Sequence, residues 1–284
     1  MTVGRDLLAA DLRALGLPAG ATVLVHASIR RIGPVAGGPA TVLAALRDVL
    51  GDGTVVVPTQ TAGNSNTSPA FRAATAGLST AEATGMEARI PPFDPDHSPA
   101  EGMGALAEHV RRLPGTVRSR HPQTSFAALG PAAAALTAVH DLECHLGERS
   151  PLGALYAADA RVLLVGVGYA KCTAFHLAEY RLARPAAVRP YRCYVRDTEG
   201  RPVRRDFFAL DLDDSDFPRI GAALDDRLWV RRGPVGTGTA RLLPVRAAVD
   251  FAGGWMSRHR TRPGFCSCRY CSRVVVSPSD GSGG

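Results

Sequence analysis

Two short β-forming runs, separated by a polar loop and a helix, constrain this chain more than any other feature. Thr22-Val-Leu-Val-His26 is a compact apolar run of the kind found in buried strands. A polar loop follows from Ala27 to Gly33, then a glycine pair at Gly37-Gly38. Pro39 suits the first turn of a helix that runs to about Leu50, and Gly51-Asp-Gly53 closes it. Thr54-Val-Val-Val-Pro58 makes the second strand. Strand, helix and strand in this order form a parallel α/β unit.

The rest of the chain extends that unit. Residues 5–16 carry Leu7, Leu8, Leu12 and Leu15 at helical spacing. Residues 60–99 form a long polar stretch rich in Thr, Ser, Pro and Asn, read as a functional loop. Helices are expected over 100–113, 131–140 and 173–182, with an apolar strand over 161–167. Beyond Pro185 two alternating runs, 191–196 and 202–210, flank the hairpin signal Thr198-Glu-Gly200. A helix near 215–226, a strand near 239–243 and a helix near 244–257 complete the pattern. We read a single domain over 1–275, with an α/β core over 1–185 and an α+β subregion over 186–275. Residues 276–284, Ser-Asp-Gly-Ser-Gly-Gly at their end, read as a disordered tail.

Composition excludes several function classes. No apolar run approaches the roughly 18 residues that span a bilayer. The first residues lack the basic segment and apolar stretch of a secretory signal, so the expected location is cytoplasmic, with no membrane partner. The formal charge is +7, but Lys171 is the only lysine and the arginines are scattered among acids. They are not gathered in a basic stripe with aromatics, so no nucleic-acid partner is expected. A modest basic excess suits an anionic small molecule. Cys144, Cys172 and Cys193 stand alone and read as inert thiols. Cys266, Cys268 and Cys271, with His259 upstream, can be written as a zinc site. The usual C-x₂₋₄-C spacing is only half met and no second pair follows, so no metal is assigned to the chemistry.

Three polar constellations could carry chemistry. In Thr173-Ala-Phe-His176-Leu-Ala-Glu179, His176 and Glu179 lie three apart, on one helix face. Thr173 is a natural N-cap, which puts His176 at the third helical position. A base beside a carboxylate is what acyl transfer to an amine requires, because the amine sheds a proton as the amide forms. Two polar residues on a structural helix would look the same. The run Arg118-Ser-Arg-His121-Pro-Gln-Thr-Ser125 fits phosphate binding, substrate binding or a solvated loop. His26-Ala-Ser-Ile-Arg30 follows the first strand, where ligands sit in open α/β sheets. The N–H groups at Gly37 and Gly38 could hold a phosphate at a helix start. Dinucleotide, P-loop and G-x-S-x-G signals are absent, and Arg232-Gly-Pro-Val-Gly-Thr-Gly238 misses a pyrophosphate loop by one residue and precedes a strand.

Taken together, the motifs resemble the aminoglycoside 3-N-acetyltransferase family. The matching pieces run in order: His26-Ala-Ser-Ile-Arg-Arg-Ile-Gly-Pro-Val-Ala-Gly-Gly38, Gly53-Thr-Val-Val-Val-Pro-Thr59, Phe93-Asp-Pro-Asp-His-Ser-Pro99 and Met103-Gly-Ala-Leu-Ala-Glu108. Then come Arg118 to Ala128, Ser150-Pro-Leu152, Val162 to Val167 and Thr173 to Glu179. The resemblance implies an α/β fold with a central mixed, largely parallel sheet flanked by helices and a C-terminal α+β extension, distinct from the GNAT fold. It implies acetyl-CoA as donor, a small amine as acceptor (the 3-amino group of a 2-deoxystreptamine ring), direct transfer and no catalytic metal.

It further implies His176 as general base, Glu179 as its partner and Thr173 near the thioester carbonyl. Ser28, Ile29, Arg30, Gly37, Gly38, Thr59 and Ser125 fall on the donor side by the same resemblance, and His121, Asp94 and Glu108 on the acceptor side. A monomer or homodimer is expected. Two departures bear on the acceptor. Ala170-Lys171 stands where family members often carry an acid, and residues 60–92 are poor in acids for a polycationic drug. Acetylation of another small amine in natural-product biosynthesis therefore stays open. So does a binding protein without catalysis, against which the presence of His176 and Glu179 argues.

Overall fold

The computed structural model describes residues 2–183 and 185–260. The proposed tail over 276–284 and Cys266, Cys268 and Cys271 lie outside the described residues. The parallel unit is β1 (Thr22–Ala27), the single-turn α2 (Ile29–Ile32), α3 (Pro39–Leu50) and β2 (Thr54–Pro58), preceded by α1 (Arg5–Ala14). Next come α4 (Pro69–Ala74), α5 (Thr80–Glu87) and α6 (Ala105–Arg111). Short strands β3 (Val117–Arg118) and β4 (Phe126–Leu129) follow, then α7 (Ala133–Thr137), α8 (Pro151–Ala157) and β5 (Arg161–Val165). A 3₁₀ turn at Tyr169–Lys171 leads into α9 (Phe175–Tyr180). The chain continues through β6 (Val188–Arg196), β7 (Pro202–Leu210), α10 (Phe217–Leu224), β8 (Arg231–Val235), β9 (Gly238–Pro244) and α11 (Val245–His259).

Seven strands form the main sheet in the order β3-β4-β2-β1-β5-β9-β8, and β6 pairs with β7 in a separate ribbon. The inner strands β2, β1 and β5 are parallel, with Val23 opposite Val55 and Leu24 opposite Val162. The flanking strands run antiparallel, so the sheet is mixed with a parallel centre.

Side chains of successive strand residues point to opposite faces, and both faces are covered. Val23, Val25, Val55, Val57, Leu163 and Val165 pack towards α1, α3 and α6. Leu24, Val56, Val162 and Leu164 pack towards α7 to α11. His26 continues the Leu24 row and so faces the same side as α9.

Several local expectations change in three dimensions. The segment over 60–99 is not one loop. It contains α4 and α5, capped by Ser68 and by a Ser79–Glu82 capping box. Helix α6 starts at Ala105 rather than Ala100, because Gly102 and Gly104 adopt φ of 69° and 88°, outside the helical region. Thr173 does not cap α9. The N-cap is Ala174, so His176 is the second helical residue. The run 232–238 is the hairpin between β8 and β9, and these strands join the main sheet beside β5.

Two packing details hold the site's supports in place. Gly221 of α10 lies flat on the Tyr169 ring; a Cβ there would come 2.1 Å from Tyr169 Cγ. The Tyr169 hydroxyl donates to Asp225 at 2.7 Å, fixing the 3₁₀ turn to α10. Separately, the His121 ring packs at a tilt on both His140 and His145, with ring centroids 4.6 Å apart in each pair, and the cluster lies against Tyr191 and Phe207 of the ribbon. Burial holds His140 down at about 4 and His145 at about 3, so both are neutral in the folded protein near pH 7.

Gly221→Ala should lower stability by about 1–3 kcal/mol through overpacking, read as a drop in melting temperature. The histidine cluster makes stability depend on pH. An unfolded histidine takes up a proton below its ordinary 6.5, whereas the folded one resists until about 4 or lower. The unfolded state then binds more protons, so stability is complete above about pH 6.5 and is lost as pH falls towards about 4. Urea unfolding should show a lower midpoint near pH 5 than above pH 7. The same comparison in His140→Phe should show a weaker pH dependence, and an unchanged one would contradict the account.

Candidate active site

The carboxyl ends of β1, β2 and β5 open onto a cavity of about 620 Å³. Ligands in open α/β sheets bind beyond such strand ends, where the chain reverses direction across the sheet. One wall is the stretch His26 to Arg30 after β1. Pro58 and Gln60 at the end of β2 and Gly102 to Ala105 at the start of α6 form a second wall. The third comprises Val167, Ala170, Lys171, Thr173 and His176, completed by Asp214 and Phe217. The volume is in the range of small-molecule sites.

His176 is the chemically distinctive side chain in that wall. Its Nδ1 lies 2.5 Å from Glu179 Oε2, one turn along α9. The His176 side chain is 14% exposed and that of Glu179 is 0% exposed. A carboxylate only accepts hydrogen bonds, so it assigns the proton to Nδ1 and leaves the Nε2 lone pair available. The Phe217 ring packs on the imidazole with centroids 4.7 Å apart.

The other Glu179 oxygen accepts from Arg260 Nη1 at 2.6 Å and from the backbone N–H of Asp213 at 3.0 Å. Arg260 also grips Asp216 through two bonds of 2.7 Å and the Asp213 carbonyl at 2.7 Å. Burial works against the Arg260 charge, but the bonds to Asp216 and Glu179 outweigh it and raise its pKa. A fully buried carboxylate needs this compensation, since an unpaired charge in the interior is strongly destabilising.

Across the cavity, His26 is buried and its Nε2 lies 3.4 Å from the Thr173 hydroxyl. Burial, reinforced by the Lys171 charge, holds His26 at about 3, so it is a neutral imidazole near pH 7. The side chains of Arg30 and Lys171 form no hydrogen bond or ion pair among the described residues. They leave two free positive charges on the wall, against the single carboxylate of Asp214.

The structure therefore brings together Ser28, Ile29, Arg30, Thr173 and His176 on the cavity, with Glu179 directly behind His176. Other residues expected at the site lie off its lining. His121 Nδ1 accepts from the N–H groups of Gln123 and Thr124, and Nε2 meets the Leu142 carbonyl, so its polar atoms are spent on backbone. The Ser125 hydroxyl accepts from Arg118 Nε and donates to the Thr59 carbonyl, while Arg118 Nη2 donates to that same carbonyl. This node fastens the 60–99 segment to the sheet.

Glu108 accepts from Arg111, Arg112 and the Ala100 N–H. Hydrogen bonding from Arg111 is the largest cause holding its carboxyl at about 2. Asp94 closes a local turn, accepting from the N–H groups of Asp96 and His97. Gly37 and Gly38 lead into α3, and neither lines the cavity. Sequence reasoning missed Lys171, Asp214, Phe217 and Arg260 as site components. The lone lysine beside Thr173 and the acidic run from Asp211 to Asp216 were the available signals for the first two.

The family model described as aminoglycoside 3-N-acetyltransferase matches residues 24–257. An aminoglycoside N(3)-acetyltransferase VII of Streptomyces paromomycinus is 39% identical over 271 residues, covering 89% of this chain and 91% of that protein. An SPbeta prophage-derived aminoglycoside N(3')-acetyltransferase-like protein of Bacillus subtilis, YokD, is 35% identical over 256 residues, covering 86% and 89%. The YokD crystal structure superposes with a TM-score of 0.85 over 92% of this chain and 96% of that one. A structure of AAC-IIIb with CoASH gives 0.78 at 31% identity, over 91% and 97%. Another, AAC-VIa bound to sisomicin, gives 0.75 at 32% identity, over 91% and 98%. The chain belongs to the aminoglycoside 3-N-acetyltransferase family, a family of acyltransferases.

Proposed function

We propose that the chain transfers the acetyl group of acetyl-CoA to an amino group of an aminoglycoside, the 3-amino group of a 2-deoxystreptamine ring, with His176 as general base. The observation that carries this reading is the His176–Glu179 pair on the wall of the strand-end cavity. The CoASH-bound and sisomicin-bound relatives support the two substrate classes. A cytoplasmic location suits a donor of this kind.

In this mechanism Ser28, Ile29 and Arg30 lie along the donor's pantetheine and diphosphate, and the free cations of Arg30 and Lys171 face its negative charge. The acceptor nitrogen attacks the thioester carbonyl carbon, and the carbonyl electron pair moves onto oxygen. His176 Nε2 takes the proton that the nitrogen sheds, while Glu179 holds Nδ1–H and stabilises the imidazolium that forms. The Thr173 hydroxyl is a donor near the developing oxyanion. Collapse of the tetrahedral species forms the amide and expels the CoA thiolate, which receives the proton back from His176. Thr59, Ser125, His121 and Glu108 act through the scaffold, and Asp94 and Gly37-Gly38 shape the surrounding loops.

A second reading is acetylation of a smaller amine. Two free cations against one carboxylate leave the wall with a positive excess, which disfavours a polycationic drug. Thiol release from acetyl-CoA, measured against aminoglycosides, amino sugars and amino acids, separates the two. Turnover with an aminoglycoside supports the first reading, and turnover restricted to small amines the second. His176→Ala should lower kcat by about 10²–10⁴ in a folded protein, and Glu179→Gln by a smaller factor. A folded His176→Ala variant with undiminished turnover would remove His176 as the base.

A further inference from the structure

Glu179 is buried completely, yet only one of its oxygens serves His176. The other is held by Arg260, a residue 81 positions away at the end of α11. Arg260 is simultaneously clamped by Asp216, beside α10, and by the Asp213 carbonyl in the segment that carries Asp214 to the cavity. One guanidinium thus joins α9, the 213–216 segment and α11 behind the imidazole. We infer that Arg260 is a positioning residue for the transfer: it neutralises Glu179 and fixes the carboxylate so that His176 keeps its Nε2 lone pair at the cavity.

The inference rests on the reading of His176 as base. The electrostatics follow from the charge count behind His176. With Arg260 present, one cation lies between the Glu179 and Asp216 carboxylates. Without it, two carboxylates are left behind the imidazole, which would then bind a proton more tightly and serve poorly as an acceptor. The groups facing His176 are Glu179 on its own helix, Asp213 and Asp214 from the segment before α10, and Arg260 from α11. His145 approaches from the loop before α8, and His26 and Lys171 face it across the cavity. Arg260 bears directly on the carboxylate that His176 uses.

The test follows the His176 imidazole by NMR as pH is varied, identifying its signal as the one lost in His176→Ala, without any substrate. Arg260→Gln keeps hydrogen-bond donors and removes the charge, whereas Arg260→Lys keeps the charge. The expected result is tighter proton binding at His176 in R260Q by about tenfold, one pH unit in the midpoint, and little change in R260K. With whichever amine the thiol-release assay finds to be turned over, R260Q should lower kcat at neutral pH by about tenfold with KM for acetyl-CoA nearly unchanged. R260K should recover part of that loss.

A folded R260Q with the wild-type midpoint and wild-type kcat overturns the inference. Equal kcat losses in R260Q and R260K without any movement of the midpoint do so too, since they would mark a packing anchor only. If R260Q does not fold, R260K carries the test: a displaced midpoint despite the retained charge refutes the proposal, and an undisturbed one supports it. Because the NMR midpoint needs no turnover, a protein that fails to acetylate any amine would refute the base role of His176 while the Arg260 effect on the imidazole is still measured.

Discussion

The Glu179 carboxylate is the constraint around which this site is arranged. It has no exposed surface, and an ionised carboxylate in that position is tolerable only if every oxygen is satisfied and its charge is balanced. The partners come from three places: His176 one turn along the same helix, the Asp213 backbone and the Arg260 guanidinium. The catalytic histidine proposed here therefore depends on the last helix of the described chain. What looks like a local H-x-x-E pair is the visible corner of a network in which Glu179 reaches a partner 81 positions away.

The sheet supplies the other half of the arrangement. Parallel β2, β1 and β5 end on one edge, so the segments leaving them converge on one cavity. Period-two alternation sends Leu24 and His26 to the α9 side, which brings His26 within 3.4 Å of Thr173. The antiparallel strands β9 and β8 widen the sheet beyond β5. They also return the chain so that α11 packs on the same face as α9 and can deliver Arg260.

The polar residues of the ordered motifs divide into two kinds once their neighbours are known. Ser28, Arg30, Thr173 and His176 line the cavity. His121 instead satisfies backbone groups of Gln123, Thr124 and Leu142, and Ser125 donates to the buried Thr59 carbonyl while pairing with the Thr59 hydroxyl. Both kinds are polar residues of the ordered motifs, so residue type alone does not separate them. The acidic pair expected for an acceptor shows the same ambiguity. Glu108 is consumed by Arg111 and Arg112, Asp94 by its own turn, and the acid that reaches the cavity is Asp214.

Local chemistry made much of this protein legible in advance. The β1–α3–β2 unit, the hairpin around Thr198-Glu-Gly200 and the position of α11 follow from periodicity and turn residues, which act over a few positions. The family was legible from ordered motifs between residues 26 and 179, and His176 with Glu179 from their spacing on a helix. Local reasoning erred by a residue at the Thr173 cap, where Ala174 caps α9 instead, and erred again at the start of α6, where the positive φ of Gly102 and Gly104 delays the helix to Ala105. It could not show that Lys171 and Asp214 face one cavity, or that Arg260 grips Glu179. Those depend on which distant segments meet, and that is set by strand order and by helices packing on a shared sheet face rather than by any neighbouring residues.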